Sequence, residues 1–347
     1  MKNRPLSKSI AMKSFAAPAL AIAAGTTAAV ASAPAHAWGN EGHEIVATIA
    51  QHYMTPKTLA AINALVAQDT STLTAHTIAA EATWADAYRA SSTAAYNATH
   101  NWHFADIEIP GGTLKAACSD FPPLPAGTPA SAGPANDCHV DKITEDLAEL
   151  GPGSTAAVAE QVLALKFVLH FIGDEHQPLH SADENDAGGN LKNVSAAKLG
   201  SGNLHAFWDT QFVASYGTNY ATVAGKLEAA ITKANFTAWY AGTPADWAAE
   251  ANAAAVSTAY GMLPTPNAKG VYVLPASYVT AAEDVVGVQL QRAGVRLAFA
   301  LNQVFDPNGS VPNIPSRTQA PAPTHQAIPS SAFIASDLRN HRQYDDR

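Results

Sequence analysis

Residues 163–180 read LALKFVLHFIGDEHQPLH, and the fold turns on how this run is interpreted. Leu163, Phe167, His170 and Asp174 follow one another in steps of three and four, which is the spacing of one helix face. A helix over 155–175 is expected, closed by Pro178, with His180 at the bend beyond it. The apolar stripe of such a helix should meet the core. Here it carries an imidazole and a carboxylate. A buried carboxylate without a partner is strongly disfavoured, so Asp174 needs a cation or strong donors, and the i, i+4 spacing lets His170 and Asp174 converge.

The same pattern recurs. Asn203-Leu204-His205-Ala206-Phe207-Trp208-Asp209 sets His205 and Asp209 four apart beside aromatic residues. Trp84-Ala85-Asp86 ends in an acid on an Ala-rich helix, and His103 lies between Trp102 and Phe104. Imidazoles and carboxylates without thiolates suit borderline divalent ions, zinc foremost. Several such pairs in one chain point to a polynuclear site.

Around these motifs the chain reads as successive helices, over 42–54, 57–67, 76–91, 142–150, 203–215, 221–233, 244–259 and 278–305. Strand-like alternation is confined to a small hairpin within Asn190–Leu199. Gly111–Ala135 is expected as a long loop, and 307–347, rich in Pro, Ser, Asn and Gln, as a largely disordered tail. The fold class expected is all-α, a single mainly helical domain over 38–306.

Of 347 residues, 47% are hydrophobic and 14% charged, which excludes a disordered polyelectrolyte. The net charge of −9 argues against binding polyanions through a broad basic surface. Lys2, Arg4, Lys8 and Lys13 precede an Ala-rich run from Ser14 to Ser32 and the triplet Ala35-His36-Ala37. This is the pattern of a signal peptide over 1–37, cleaved before Trp38, and it predicts export to the periplasm or the medium. No second stretch is apolar enough to span a membrane. Export makes a Cys118–Cys138 disulfide plausible. Trp38 would then begin the mature chain, with its α-amino group and carbonyl oxygen forming a chelating pair close to His43.

These motifs, from Trp38-Gly39 and Gly42-His43 through Trp84-Ala85-Asp86, Trp102-His103-Phe104, His170 to His180, Gly188-Gly189-Asn190 and Asn203 to Asp209, closely resemble the S1/P1 family of zinc-dependent single-strand nucleases. Bacterial zinc phospholipase C shares the superfamily. The resemblance implies the helical phospholipase C/nuclease P1 fold with a trinuclear zinc cleft. It implies one Zn2+ held by Asp86, His103, His170 and Asp174. A second would share Asp174 and take Trp38 and His43, and a third would take His180, His205 and Asp209. It further implies hydrolysis of single-stranded DNA and RNA to 5′-phosphate products, with 3′-nucleotidase activity. No protein partner is implied, and a monomer is expected.

Other residues carry two readings each. Arg89, one turn past Asp86, is a clamp for phosphate oxygens or a solvated surface charge. Asp106 orients or deprotonates the nucleophile, or it fixes a ligand imidazole. Phe104 stacks a nucleobase or packs in the core. Asn190 and Asn203 are candidate phosphate contacts. The rival functions are a zinc phospholipase C, against which Asp209 in place of a glutamate argues, and a zinc-binding protein without turnover.

Overall fold

A computed structural model of the protein describes residues 38–118 and 124–320. The signal-peptide reading of 1–37 and the end of the expected tail, 321–347, lie outside the described residues. The described chain is mostly helical. It runs α1 Asn40–Tyr53, α2 Pro56–Val66, α3 Ile78–Glu81, α4 Trp84–Ser91, α5 Thr93–Thr99, α6 Leu114–Cys118, α7 His139–Leu150 and α8 Val158–Asp174. After a small sheet come α9 Leu204–Ala206, α10 Phe212–Ala214, α11 Tyr220–Ala230, α12 Lys233–Trp239, α13 Pro244–Ala254 and α14 Ala276–Phe305.

The helix starts follow local chemistry. Thr55 Oγ1 accepts the Thr58 N–H at 3.1 Å ahead of Pro56, and Thr232 with Asn235 and Thr243 with Asp246 form reciprocal capping boxes. Helix α8 is the centre of the molecule. From Ala164 to Asp174 every residue is buried, because α1, α2, α4, α7 and α14 pack around it. From Ala164 onward its sequence is apolar nearly all round, Lys166 apart, rather than striped, as a buried stretch of helix requires. His170 and Asp174 are therefore surrounded by protein.

The expected helix over 76–91 is two helices, α3 and α4, and the break has a structural use. Thr83 Oγ1 donates to the Ala80 carbonyl at 2.8 Å, and the Ala82 carbonyl leaves the helical ladder to accept His170 Nδ1 at 2.7 Å. The expected helix over 203–215 is α9 and α10 joined by a π-helical turn, Phe207–Gln211. The expected helix over 221–233 stops at Ala230. Helix α12, absent from the sequence reading, follows and buries Phe236 and Trp239. The expected hairpin pairs β1 Asn193–Ala196 antiparallel with β2 Gly200–Asn203, later in the chain than predicted. A third strand, β3 Tyr272–Leu274, joins β1 in parallel from far along the chain, which no local pattern announces. The loop expected over Gly111–Ala135 contains α6 and a 3-10 turn at Ala130–Ala132. Cys118 and Cys138 form a disulfide with Cα atoms 5.3 Å apart. Past α14, residues 307–320 continue as irregular backbone, tied where Asn313 Nδ2 donates to the His52 carbonyl and the Lys233 N–H to the Arg317 carbonyl. No helix among the described residues is long and apolar enough to cross a membrane.

Helix α7 carries an acidic cluster that gives a pH-dependent expectation. Burial, the facing Asp137 and Glu145 push the Asp141 carboxyl up to about 7 from an ordinary 3.8, and Lys142 offsets this only in part. The fold therefore keeps a proton that the unfolded chain releases from about pH 4 upward, so this group's cost grows as pH rises through that window. Asp141→Asn preserves a donor to Asp137 and has no proton to lose. The variant should melt above the parent at pH 8, and the gap should shrink towards pH 4. A gap independent of pH would contradict this account.

Candidate metal centre

Eight histidine and aspartate side chains from seven segments meet in one buried cluster. His43 comes from the first turns of α1, Asp86 from α4, and His103 from the 3-10 turn His100–His103. His170 and Asp174 come from α8, and His180 from the 3-10 turn Pro178–Ser181. His205 lies in α9 and Asp209 in the π-helical turn. All eight are at most 2% exposed. One donor atom each from Asp86, His103 and His170 lie within 4.8 Å of one another, and so do those of His43, His170 and Asp174 and those of His180, His205 and Asp209.

Asp174 joins the first two groups through its two oxygens. Oδ2 lies 2.9 Å from His103 Nδ1 and 3.1 Å from His170 Nε2. Oδ1 lies 3.4 Å from His43 Nε2 and 3.5 Å from His180 Nδ1. Asp86 Oδ1 stands 3.7 Å from both His103 Nδ1 and His170 Nε2. In the third group Asp209 Oδ2 is 3.3 Å from His205 Nε2, and Oδ1 is 3.7 Å from His180 Nε2.

Backbone groups aim the rings. His170 Nδ1 donates to Ala82 and His205 Nδ1 to Gly188, each at 2.7 Å, which leaves His170 Nε2 turned to Asp174 and His205 Nε2 to Asp209. Fixing one ring nitrogen in this way sets the tautomer of the other. Gly188 has φ 60°, a left-handed conformation that glycine adopts without strain, and this geometry presents its carbonyl to His205. Gly173 lets α1 approach α8: a Cβ there would stand 2.7 Å from His43 Nδ1. Gly173→Ala should push the His43 ring aside and weaken zinc binding about 10- to 100-fold, the effect typical of a displaced ligand support. Competition with a chromophoric chelator measures it, and an unchanged affinity would count against the role of His43.

The electrostatics suit a cation. Burial lowers the His43 and His180 pKa values, and it takes His103 to about 3 and His205 to about 4, so these rings are neutral at pH 7, the form that binds metals. Burial alone would raise Asp174, but His170, His103 and His43 outweigh it and hold the carboxyl well below its usual range. Asp209 is raised well above its usual range by burial, relieved mainly by Gln177. Both nitrogens of His43 and His180, Nε2 of His103 and His205, Asp174 Oδ1 and Asp209 Oδ2 are buried without a hydrogen-bond partner. Such a concentration of unsatisfied atoms is costly in a folded core. An ion binds one nitrogen of a ring, so divalent cations would satisfy the atoms that face the cluster, Asp174 Oδ1, Asp209 Oδ2 and the Nε2 atoms of His43 and His205 among them, and the donor set fits zinc.

The remaining expected residues divide by position. Trp38 is fully buried, its indole N–H donating to the Gly173 carbonyl at 2.7 Å, and the Gly39 N–H donates to the Asp209 carbonyl at 2.9 Å. These bonds tie the start of the described chain to the segments that carry Asp174 and Asp209. Arg89 is 6% exposed and donates from Nη2 to Asp86 Oδ1 at 2.6 Å, which overturns the reading as a solvated surface charge. Phe104 is partly exposed at the rim, its ring 4.9 Å from that of His180 and 6.1 Å from that of His205, so it is not a core residue. Asp106 stays accessible to solvent, yet the enclosing protein, Asp183 and Glu108 push its carboxyl up to about 6. Asn203 Oδ1 accepts the Ala206 N–H at 2.7 Å and so caps the turn bearing His205. Asn190 Nδ2 donates to the Ala187 carbonyl within its own loop.

Sequence reading passed over Gln177, whose Nε2 donates to Asp209 Oδ1 at 2.6 Å. Its only signal was its place in the run from Asp174 to His180. His176, within the same run, is turned away: Nδ1 donates to the Ile172 carbonyl and Nε2 faces Arg296 Nη1 at 3.0 Å.

Comparison with known proteins adds an independent line. A family model described as S1/P1 Nuclease matches residues 38–306. Nuclease PA3 of a Penicillium species is 28% identical over 286 residues, covering 77% of this chain and 97% of that protein. Nuclease P1 of Penicillium citrinum is 29% identical over the same length, with the same coverage. Nuclease S1 of Aspergillus oryzae is 34% identical over 203 residues, covering 56% of this chain and 61% of that protein.

Proposed function

The chain belongs to the S1/P1 nuclease family, and from that premise we propose that it is an exported, zinc-dependent nuclease that cleaves single-stranded DNA and RNA to 5′-phosphate products and removes 3′-phosphates from nucleotides. The observation that carries the zinc reading is the set of buried imidazole and carboxylate atoms without partners, held in three adjoining groups. Asp86, His103, His170 and Asp174 would hold one ion. Asp174, His43 and the amino and carbonyl groups of Trp38 would hold a second, and His180, His205 and Asp209 a third. Bound zinc supplies Lewis acidity to the phosphodiester and acidity to a water nucleophile.

The chain's own residues have separate tasks. Asp174 offers one oxygen to each of two groups and so fixes their spacing. Arg89, oriented by Asp86, presents a guanidinium that matches two phosphate oxygens. Asp106, in its anionic form, would orient the nucleophile or accept its proton. Phe104 offers a ring on which an unpaired base stacks, which favours single strands because paired bases are not free to leave their stack. The burial of the cluster also disfavours a rigid duplex, since a phosphate must bend inward to approach it.

The test uses mature protein beginning at Trp38. Zinc per chain is measured, with release of 5′-mononucleotides from single-stranded DNA and RNA on the same sample. A choline phospholipid and a 3′-mononucleotide run in parallel. Zinc-dependent nucleotide release, abolished by a chelator and restored by zinc, is the expected result. Lipid hydrolysis alone would move the protein to the phospholipase branch. Full zinc loading without turnover of any phosphodiester would overturn the catalytic reading.

A further inference from the structure

Phe104 is the inner end of a longer row of rings. Tyr96 and His100 are four residues apart where α5 runs into the 3-10 turn His100–His103, and Phe104 follows directly after that turn. The spacing puts Tyr96 and His100 on one face, and a ring contact carries the row on to Phe104. The rings touch in succession. Phe104 meets His180 at 4.9 Å and His100 edge to face at 5.6 Å, and His100 stacks on Tyr96 at 4.4 Å with the planes 19° apart. Burial falls outward along the row. His180 is fully buried, His100 and Phe104 are half-buried, and Tyr96 is 46% exposed despite its bulk.

The surrounding sequence is as telling as the rings. Between Arg89 and Asp106 the chain contains no Asp, Glu, Lys or Arg, in a protein with 29 acids and 20 bases. A phosphate-bearing strand passing along this segment meets no carboxylate from it. The segment instead offers aromatic faces and the neutral polar groups of Asn97 and Asn101.

We propose that Tyr96, braced by His100, is an outer stacking site for single-stranded nucleic acid, taking an unpaired base further along the strand than the base at Phe104. The proposal rests on the nuclease reading above and extends its substrate from a single phosphodiester to a run of nucleotides. The stack on His100 already orders the Tyr96 ring, so binding a base costs little side-chain freedom. Every base has a π face, so the site adds affinity without sequence preference.

The experiment compares kcat/KM for the zinc-loaded parent, Tyr96→Ala and Tyr96→Phe. One substrate is a single strand of about ten nucleotides, within the usual footprint of strand-binding grooves. The other is a dinucleotide, too short to reach beyond Phe104. Tyr96→Ala should lower kcat/KM on the longer strand about 5- to 100-fold, mainly through KM, as loss of one base–aromatic stack predicts. The dinucleotide rate should not change, and Tyr96→Phe should match the parent on both substrates. An unaltered rate for Tyr96→Ala on the longer strand, or an equal loss on both substrates, would overturn the outer site while leaving the nuclease reading intact. A parent that cleaves neither substrate would overturn both.

Discussion

Replacing Asp174 with asparagine should abolish measurable cleavage of single-stranded DNA, a loss of about 1000-fold or more, as expected when a site loses the ions that stabilise its transition state. The variant should also lose two zinc equivalents per chain. Asparagine has nearly the same shape, so the buried end of α8 need not collapse. What changes is chemistry. One carboxylate oxygen faces His103 and His170 while the other faces His43 and His180. An amide can offer an oxygen to one side only, and its NH2 group repels a cation on the other. Asp86→Asn is the informative partner, because Asp86 Oδ1 is placed near His103 and His170. It should cost one zinc equivalent. Equal zinc loss from both variants would mean that Asp174 does not link two ions, and full zinc content in Asp174→Asn would sink the ligand assignment altogether. Circular dichroism of each variant separates metal loss from unfolding.

Much of this cluster was legible in the sequence because its imidazoles and carboxylates arrive in short, helix-spaced pairs. His170 with Asp174 and His205 with Asp209 sit one turn apart, and the spacing alone brings each pair to one face. The sequence could not show that the two pairs face each other, since that depends on how α8 packs and on the turn at Pro178. Nor could it show the backbone carbonyls that aim the rings. Ala82 is an ordinary residue in an Ala-rich stretch, and it matters only because α3 stops there and frees its carbonyl for His170. The continuous helix expected over 76–91 ignored that break, since Ala has high helix propensity and Thr83 carries no strong stop signal. Strand β3 was missed for a similar reason. Three residues pair with a strand some eighty positions earlier, and only tertiary contact makes them a strand. Helix α12 is two turns long, and its existence depends on its capping box and on burying Phe236 and Trp239 rather than on its own periodicity. Gln177 stayed hidden because a polar residue before a proline suggests a turn, not a donor to Asp209.

Zinc binding should also depend on where the polypeptide begins. A chain that keeps even Ala37 ahead of Trp38 should bind one zinc equivalent fewer than the chain starting at Trp38, and its activity should fall at least about 100-fold, the scale expected when a catalytic ion is lost. A free α-amino group has a lone pair to donate once deprotonated, and its pKa of about 8 puts that form within reach at neutral pH. An amide nitrogen at the same position has no such lone pair, because peptide resonance ties it up. The structure leaves little room for Trp38 to move aside and let another group serve. Its indole is fully buried and bonded to the Gly173 carbonyl, one residue from Asp174, and Gly39 is bonded to the Asp209 carbonyl. An extension therefore changes the chemistry of the nitrogen without shifting the ring that anchors it. Near-identical melting temperatures for the two apo-proteins would show that the fold is shared, so a difference in zinc content would report on the terminal nitrogen itself. Equal zinc content and equal rates would place the second ion's remaining ligands elsewhere. If the loss is found, removal of the leader is the activating step, and the nuclease is held inactive until the chain has been exported and trimmed.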